Sequence, residues 1–406
     1  MNLPLFISKR INSSDKGTFA SIIHKIAIAS VALGIAIMLV SFQILGGFQN
    51  NIKDKIFGFS GHIQIKKFTF SSDYDEIPIF LEEERKQAIL DDPLIDHIQE
   101  YALKPGLINR NDEVFGLLFK GVASDFDTLR LQEYMLEGRF PSLFSAQLFS
   151  SEVMISQFMA DQMKVSIGDA LPTVFIMDPP KTRRLEVVGI FNSGLEDFDE
   201  QVVIGDINLV RSLNNWSSGE VGGYEVFINK LEDMAAADDS IIQKVSIDHM
   251  TERVDEKFVY VFDWLNLLSQ NVYILIGLIL FVASFNMVSV LFILITERTP
   301  MIGIFKSLGA QDKLLRRIFA LNGIRLVSRG LLIGNAIGLL FGFLQYQFKL
   351  IPLEPATYYM AHVPIDWNWP RIIGVNILTL VIVGVVLILP TAIISRISPV
   401  KAIRFD

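Results

Sequence analysis

Four stretches of this chain carry no Asp, Glu, Lys or Arg: Ile26–Phe48 (23 residues), Trp264–Thr296 (33), Leu331–Phe348 (18) and Ile372–Ser395 (24). A helix needs about 20 apolar residues to cross the hydrocarbon core of a bilayer, and inside it every backbone N–H and C=O must be bonded within the segment. Each stretch is long enough, so an α-helical membrane bundle of four transmembrane helices is expected. Composition agrees: 51% of the 406 residues are hydrophobic and 20% charged, an apolar excess that a water-facing surface cannot hide. Lys9, Arg10, Lys16 and Lys25 precede the first stretch in the manner of a signal peptide. That stretch is longer than a usual signal core and begins late, so an uncleaved anchor is expected. Cysteine is absent, which excludes a disulfide framework and thiolate metal sites.

Orientation follows from the excess of Lys and Arg in short cytoplasmic segments. Residues 1–25 carry four basic and one acidic side chain, Glu297–Arg329 seven against two, and the tail from Arg396 three against one. Residues 48–263, by contrast, carry a net charge of −18. Both termini are therefore expected in the cytoplasm and the acidic domain outside. The expected divisions are a cytoplasmic segment (1–25), spans at 26–48, 264–296, 326–348 and 372–395, an outer domain (49–263), a cytoplasmic segment (297–325), an outer loop (349–371) and a cytoplasmic tail (396–406).

The outer domain reads as a large α+β domain. Apolar and polar residues alternate in the strand candidates His62–Lys66, Val114–Val122, Leu185–Phe191, Gln201–Ile204, Tyr224–Asn229 and Lys257–Phe262. Helix candidates are Leu81–Leu90, Phe126–Tyr134, Ser156–Met163, Ile207–Leu213 and Met234–Val245. Chemistry is hard to find there. His24, His62, His97, His249 and His362 are scattered without metal-ligand spacing, and no serine sits in a nucleophile elbow. The acidic groups Asp73, Asp75, Glu76 and Glu196, Asp197, Asp199, Glu200 lack the glycine and spaced oxygens of a calcium loop and read as solvated surface. There is no GxxxxGK[ST] phosphate loop. The chain is thus expected to be a non-enzyme without a cofactor or metal of its own, and without a nucleic-acid partner.

More telling is the segment Thr296–Ala310. Thr299 can cap a helix, Pro300 suits its first turn, and Gly309 can take the left-handed turn that ends it. Met301, Phe305 and Leu308 then fall on one face. Such a stripe on a short basic helix could dock into a partner or pack on the chain's own spans, and its residues alone leave both open.

This segment resembles the coupling-helix region of the MacB/FtsX/Lol superfamily of ABC permeases. Further matches are similar to its lipoprotein-releasing LolC/LolE branch: Gly46–Asn51 through Ile56–Ile63; Glu137–Phe140; Val165–Asp169; Val187–Gly194 with Asp199 close behind; and Ser398–Arg404 within the tail. The resemblance implies one span, a periplasmic domain and three further spans in the bacterial inner membrane. It also implies a MacB-like porter subdomain, mapped to 49–103 with 224–263, and a subdomain inserted at 104–223. Coupling to a cytoplasmic ABC ATPase dimer, which would hold ATP and Mg, falls to Glu297, Met301, Ile302, Phe305, Lys306, Leu308 and Gly309. A second permease subunit, a lipoprotein substrate and a periplasmic lipoprotein carrier are the other implied partners.

Gly330, Gly334, Gly338 and Gly342 recur every fourth residue in the third span and read as a helix-packing seam. Asn286, Asn335 and Asn376 read as interhelical hydrogen-bonding groups. Met38, Phe42 and Leu45 share a face near the outer end of the first span, either as acyl-chain contacts or as ordinary lipid and helix contacts. The stretch Asp178, Pro179, Pro180, Lys181 corresponds to a long carrier-binding hairpin of the family but is short, so it reads either as a carrier-docking turn or as a plain corner. Alternatives are a MacB-type exporter, which usually fuses its ATPase, an FtsX-type regulator of cell-wall hydrolases, which usually has a smaller outer domain, and a membrane-anchored periplasmic enzyme.

Overall fold

The computed structural model describes residues 19–68, 76–110, 113–143, 149–354 and 358–396. Lys9, Arg10, Lys16, Asp73, Asp75 and the closing segment Ser398–Arg404 lie outside the described residues. The chain divides into two compact units: residues 1–50, 264–352 and 362–406 form one, and 51–263 with 353–361 form the other.

The first unit holds the greater part of α1 (Phe19–Ser60) and of α2 (Val259–Glu297), whose residues 51–60 and 259–263 belong to the second, together with the short α3 (Thr299–Ser307), α4 (Asp312–Phe348) and α5 (Trp369–Val386). All but α3 belong to helical segments long and apolar enough to cross a membrane. Their ends differ from the charge-free stretches, because a charge ends a span without ending the helix. The ladder of backbone hydrogen bonds continues wherever the chain can keep it. Thus α1 runs on through Lys53, Asp54 and Lys55, and α4 starts at Asp312, making one helix of residues expected on both sides of 325/326. At the other end α5 stops at Val386 and gives way to a helical turn, Ile388–Thr391, and a 3-10 turn, Ala392–Arg396. Pro390 lies in that break, where its missing N–H cannot extend a helix. The unit's core includes the fully buried Ile35, Leu39, Leu291 and Val383. Phe281, Leu332, Phe343 and Val381 remain exposed, an apolar surface suited to lipid rather than water.

Among the described residues the second unit has ten strands: β1 (Ile63–Lys67), β2 (Ile95–Arg110), β3 (Glu113–Val122), β4 (Met135–Gly138), β5 (Glu152–Ser156), β6 (Ala170–Phe175), β7 (Lys181–Phe191), β8 (Val202–Asp206), β9 (Gly223–Ile228) and β10 (His249–Arg253). They make one mixed sheet in the order β10-β1-β9-β2-β3-β8-β5-β7-β4, with β6 paired to β2 and β7. The strand that unites it is β2. It pairs with β9 through Ile95–Tyr101 and with β3 from Tyr101 to Arg110. The subdomain boundary mapped at 103/104 therefore falls inside a strand that both flanking sets share.

Helices complete the unit. Ile207–Asn214 is capped by Asp206, whose carboxylate accepts the Asn208 N–H at 2.9 Å, and Gln157–Met163 by Ser156, whose Oγ accepts the Met159 N–H at 3.0 Å. Such caps satisfy donors that the first helical turn leaves open. One expectation is overturned: Lys257–Phe262 is no strand, because Lys257 ends the short helix Val254–Lys257 and α2 begins at Val259. Phe119, Phe175, Phe191, Tyr224 and Phe227 form the largest fully buried side chains of this unit.

Candidate functional site

Helix α3 is shaped by its two ends. Pro300 occupies the first turn. At the other end Leu308 is followed by Gly309 at φ 89°, and the N–H groups of Gly309 and Ala310 bond the carbonyls of Lys306 and Phe305 at 3.0 and 2.9 Å. That pair of bonds is the Schellman closure, which needs a left-handed residue where Gly309 stands. Thr299, expected to cap the helix, instead donates its Oγ1–H to the Ile295 carbonyl at 3.2 Å, and the N-cap position is Arg298, whose side chain does not cap the first turn. The hydroxyl lies one turn from an open carbonyl of α2, which outcompetes the cap.

The face of α3 differs from the expected stripe. Ile302 is fully buried, and Met301 and Phe305 are half-buried against the bundle core. Leu308, at 77% exposure, points outward together with Ile304 at 52%. Glu297 is exposed at the end of α2. Lys306 faces its own chain: its Nζ pairs with Asp312 Oδ1 at 2.9 Å and donates to the Ile394 carbonyl at 2.8 Å. The helix is thus pinned between α4 and the last turns of the unit, with one apolar edge left free.

The four glycines that recur at every fourth residue of α4 all meet α1. A Cβ on Gly330 would lie 2.6 Å from the Val31 Cβ, one on Gly334 2.5 Å from the Ala32 carbonyl oxygen, one on Gly338 3.1 Å from the Leu39 Cβ, and one on Gly342 2.6 Å from Gln43 Oε1. Small residues let two backbones approach to this distance. Asn335 and Asn376 exchange side-chain hydrogen bonds of 2.6 and 2.9 Å, and Asn286 donates to Ser30 Oγ at 2.8 Å. Met38 and Leu45 lie inside the bundle, at 1% and 8% exposure. Of the three residues read as acyl contacts, only Phe42 keeps an open edge, and it sits edge-on to Tyr273 at 6.1 Å.

In the second unit, Asp178, Pro179 and Pro180 are exposed in the short β6–β7 connection, whose last register pair is Phe175 with Lys181. Lys181 Nζ donates to the Leu213 carbonyl at 2.7 Å, so this end of the hairpin is tied down. Sequence reasoning missed a buried ion pair altogether. Lys120 Nζ lies 2.6 Å from Glu225 Oε1, with 7% and 2% of the two side chains exposed, and Gln99 donates to the other oxygen at 2.8 Å. The pair borders a cavity of about 180 Å³ that is lined further by Phe59, Tyr101, Leu118 and Phe258. No signal in the sequence separates Lys120 from a lysine that alternates outward on a strand. Among the described residues no group of three or more His, Asp or Glu is placed to hold a metal.

Comparison with known proteins accords with this architecture. The family model of the MacB-like periplasmic core domain matches residues 26–244, and that of the FtsX-like permease C-terminal region matches residues 273–399. The chain is 21% identical to the lipoprotein-releasing system transmembrane protein LolC of Neisseria meningitidis, over 98% of this chain and 97% of that one. It is 20% identical to LolE of Haemophilus influenzae over 99% of both. Among solved structures, the periplasmic region of MacB from Actinobacillus actinomycetemcomitans aligns with 50% of this chain and 92% of its own at 11% identity and a TM-score of 0.36, too loose a likeness to carry a fold argument. Because the periplasmic core match alone takes in more than half of the chain and the permease match follows it in order, the chain belongs to the family of membrane permeases with a MacB-like periplasmic core domain and an FtsX-like C-terminal region.

Proposed function

We propose that this chain is the membrane subunit of an ABC transporter that releases lipoproteins from the inner membrane. The observation that carries the reading is the end-to-end match with LolC and LolE proteins, which spans both family domains rather than one of them. In this reading the second unit is periplasmic and both termini are cytoplasmic. A separate ATPase dimer, holding ATP and Mg, docks on α3 and presses on Leu308 and Ile304 at its free edge and on Phe305 beside them. Glu297, Met301, Ile302, Lys306 and Gly309 set the helix in place. Motion passes up α1 and α2, a second permease subunit completes the transporter, and the acylated cargo is handed to a soluble carrier. The exposed Asp178–Pro180 turn is the candidate contact for that carrier.

The test is ATP-dependent release of an acylated lipoprotein from proteoliposomes that hold this permease with its copurifying ATPase and a soluble carrier. Release is expected, and Leu308→Asp is expected to abolish ATPase docking while leaving membrane insertion intact. An ATPase-active complex that released nothing would replace this reading with that of an exporter or a cell-wall regulator.

A further inference from the structure

The connection between α4 and α5 passes through the second unit: Leu353–Ala361 groups with residues 51–263 and not with the helices it joins. Its two ends are bonded, Leu353 N–H to the Ala361 carbonyl at 2.8 Å. Near its far end Tyr359 stands at φ 59°, a left-handed conformation that a residue with a Cβ adopts only when its surroundings hold it. What meets its carbonyl is a lysine: Lys55 Nζ, on the last turns of α1, donates to the Tyr359 oxygen at 2.6 Å. Lys55 is 9% exposed, and a buried ammonium is costly unless it is bonded.

The other wall of this contact is the turn Asn192-Ser193-Gly194, which resembled its family in sequence but had no role there. A Cβ on Gly194 would lie 2.5 Å from Lys55 Nζ and 2.9 Å from the Tyr359 oxygen, and its own φ is 66°, so glycine is required twice over. The turn is held by Asp199. Its Oδ1 accepts the Ser193 N–H and Oγ–H at 3.1 and 2.8 Å, and its Oδ2 accepts the Gly194 N–H at 2.9 Å. Buried like Lys55, Asp199 also interacts with the lysine's charge.

We infer that Lys55 is a positioning residue for transmission: by clamping the Tyr359 carbonyl against the turn held by Asp199, it makes the α4–α5 connection a fixed part of the second unit. Displacement of α4 and α5 then reaches the domain through this connection as well as through α1 and α2. The inference rests on the reading that an ATPase drives the bundle. It is tested with the full chain and its ATPase in proteoliposomes, by comparing wild type with Lys55→Met, and with Lys55→Gln should the first variant fail to assemble. Amide hydrogen exchange at 358–361 should accelerate at least tenfold while that of β2 and β9 is unchanged. Lipoprotein released per ATP hydrolysed should fall at least fivefold, with hydrolysis itself retained and Lys55→Arg restoring both. Unchanged exchange at 358–361 would overturn the latch, and a loosened connection with full release per ATP would overturn its part in transmission. If wild type itself releases no lipoprotein, the functional reading fails separately, and the exchange comparison alone decides the latch.

Discussion

His62 sits between aromatic rings, 4.5 Å from that of Phe57 and 5.7 Å from that of Phe227, and its Nδ1 accepts the Ile228 N–H at 3.2 Å. An imidazole that accepts a backbone hydrogen bond at Nδ1 is neutral. Burial first, and then the nearby Arg130 charge, lower its pKa from 6.5 to about 4. The sign follows from proton binding: between these values the unfolded chain holds the proton that the folded one refuses, so stability rises with pH. His62 thus contributes fully above pH 6.5, and about 3 kcal/mol of stability is lost as the pH falls toward 4. His62→Gln keeps an acceptor for Ile228 but does not titrate. Its thermal midpoint should fall less than that of wild type between pH 6.5 and 4.5, and parallel curves would remove the histidine from the account. The sequence showed that His62 lacks metal-ligand spacing, yet not that it is enclosed, because Phe227 and Arg130 come from distant parts of the chain. Lys120 and Glu225 illustrate the same limit, since alternation along a strand gives a face but not which face is covered.

At the scale of elements, the four-residue glycine spacing was visible in the sequence, whereas its partner was not. The structure gives that partner as α1, and the contacts grade the four positions. Gly334 faces the Ala32 carbonyl at 2.5 Å, backbone that cannot turn aside, while Gly338 meets the Leu39 side chain at 3.1 Å and backbone, the Ala36 carbonyl, no nearer than 3.4 Å, and Gly384 on α5 meets nothing within 4 Å. Gly334→Ala should therefore cost about 1–3 kcal/mol, as overpacking does, Gly338→Ala less, and Gly384→Ala nothing or a slight gain. Thermal unfolding in detergent measures the order, and equal effects at Gly334 and Gly384 would remove the seam. Two elements escaped the sequence for opposite reasons. In β2, Pro105 and Gly106 look like a turn, although they pair in register with Leu118 and Leu117 of β3 and the Pro105 carbonyl accepts the Ile176 N–H at 3.0 Å. Val259–Phe262 carries the β-branched and aromatic residues of a strand, but it opens α2, where continuity with a membrane-length helix outweighs a weak local preference.

For the whole molecule, orientation decides what every surface can meet. Residues 48–263 carry a net charge of −18, while the basic excess lies in residues 1–25, 297–329 and the tail. Short basic segments are retained on the cytoplasmic side, which would put α3 where an ATPase can reach it and the sheet on the other side of the bilayer. The chain has no cysteine, so a single introduced thiol reports one position without background. Ser217 in the second unit and Ser307 at the end of α3 are both exposed, so neither substitution disturbs a core. A membrane-impermeant maleimide should label Ser217→Cys in intact spheroplasts and Ser307→Cys only after the membrane is opened. The reverse pattern would place the free edge of Ile304 and Leu308 outside the cell, where no ATP-driven partner could press on it, and the coupling reading would fall with it. Labelling of both from outside would break the four-span count itself, because α2 alone separates the two positions and a helix of that length and apolarity cannot lie in water along one side.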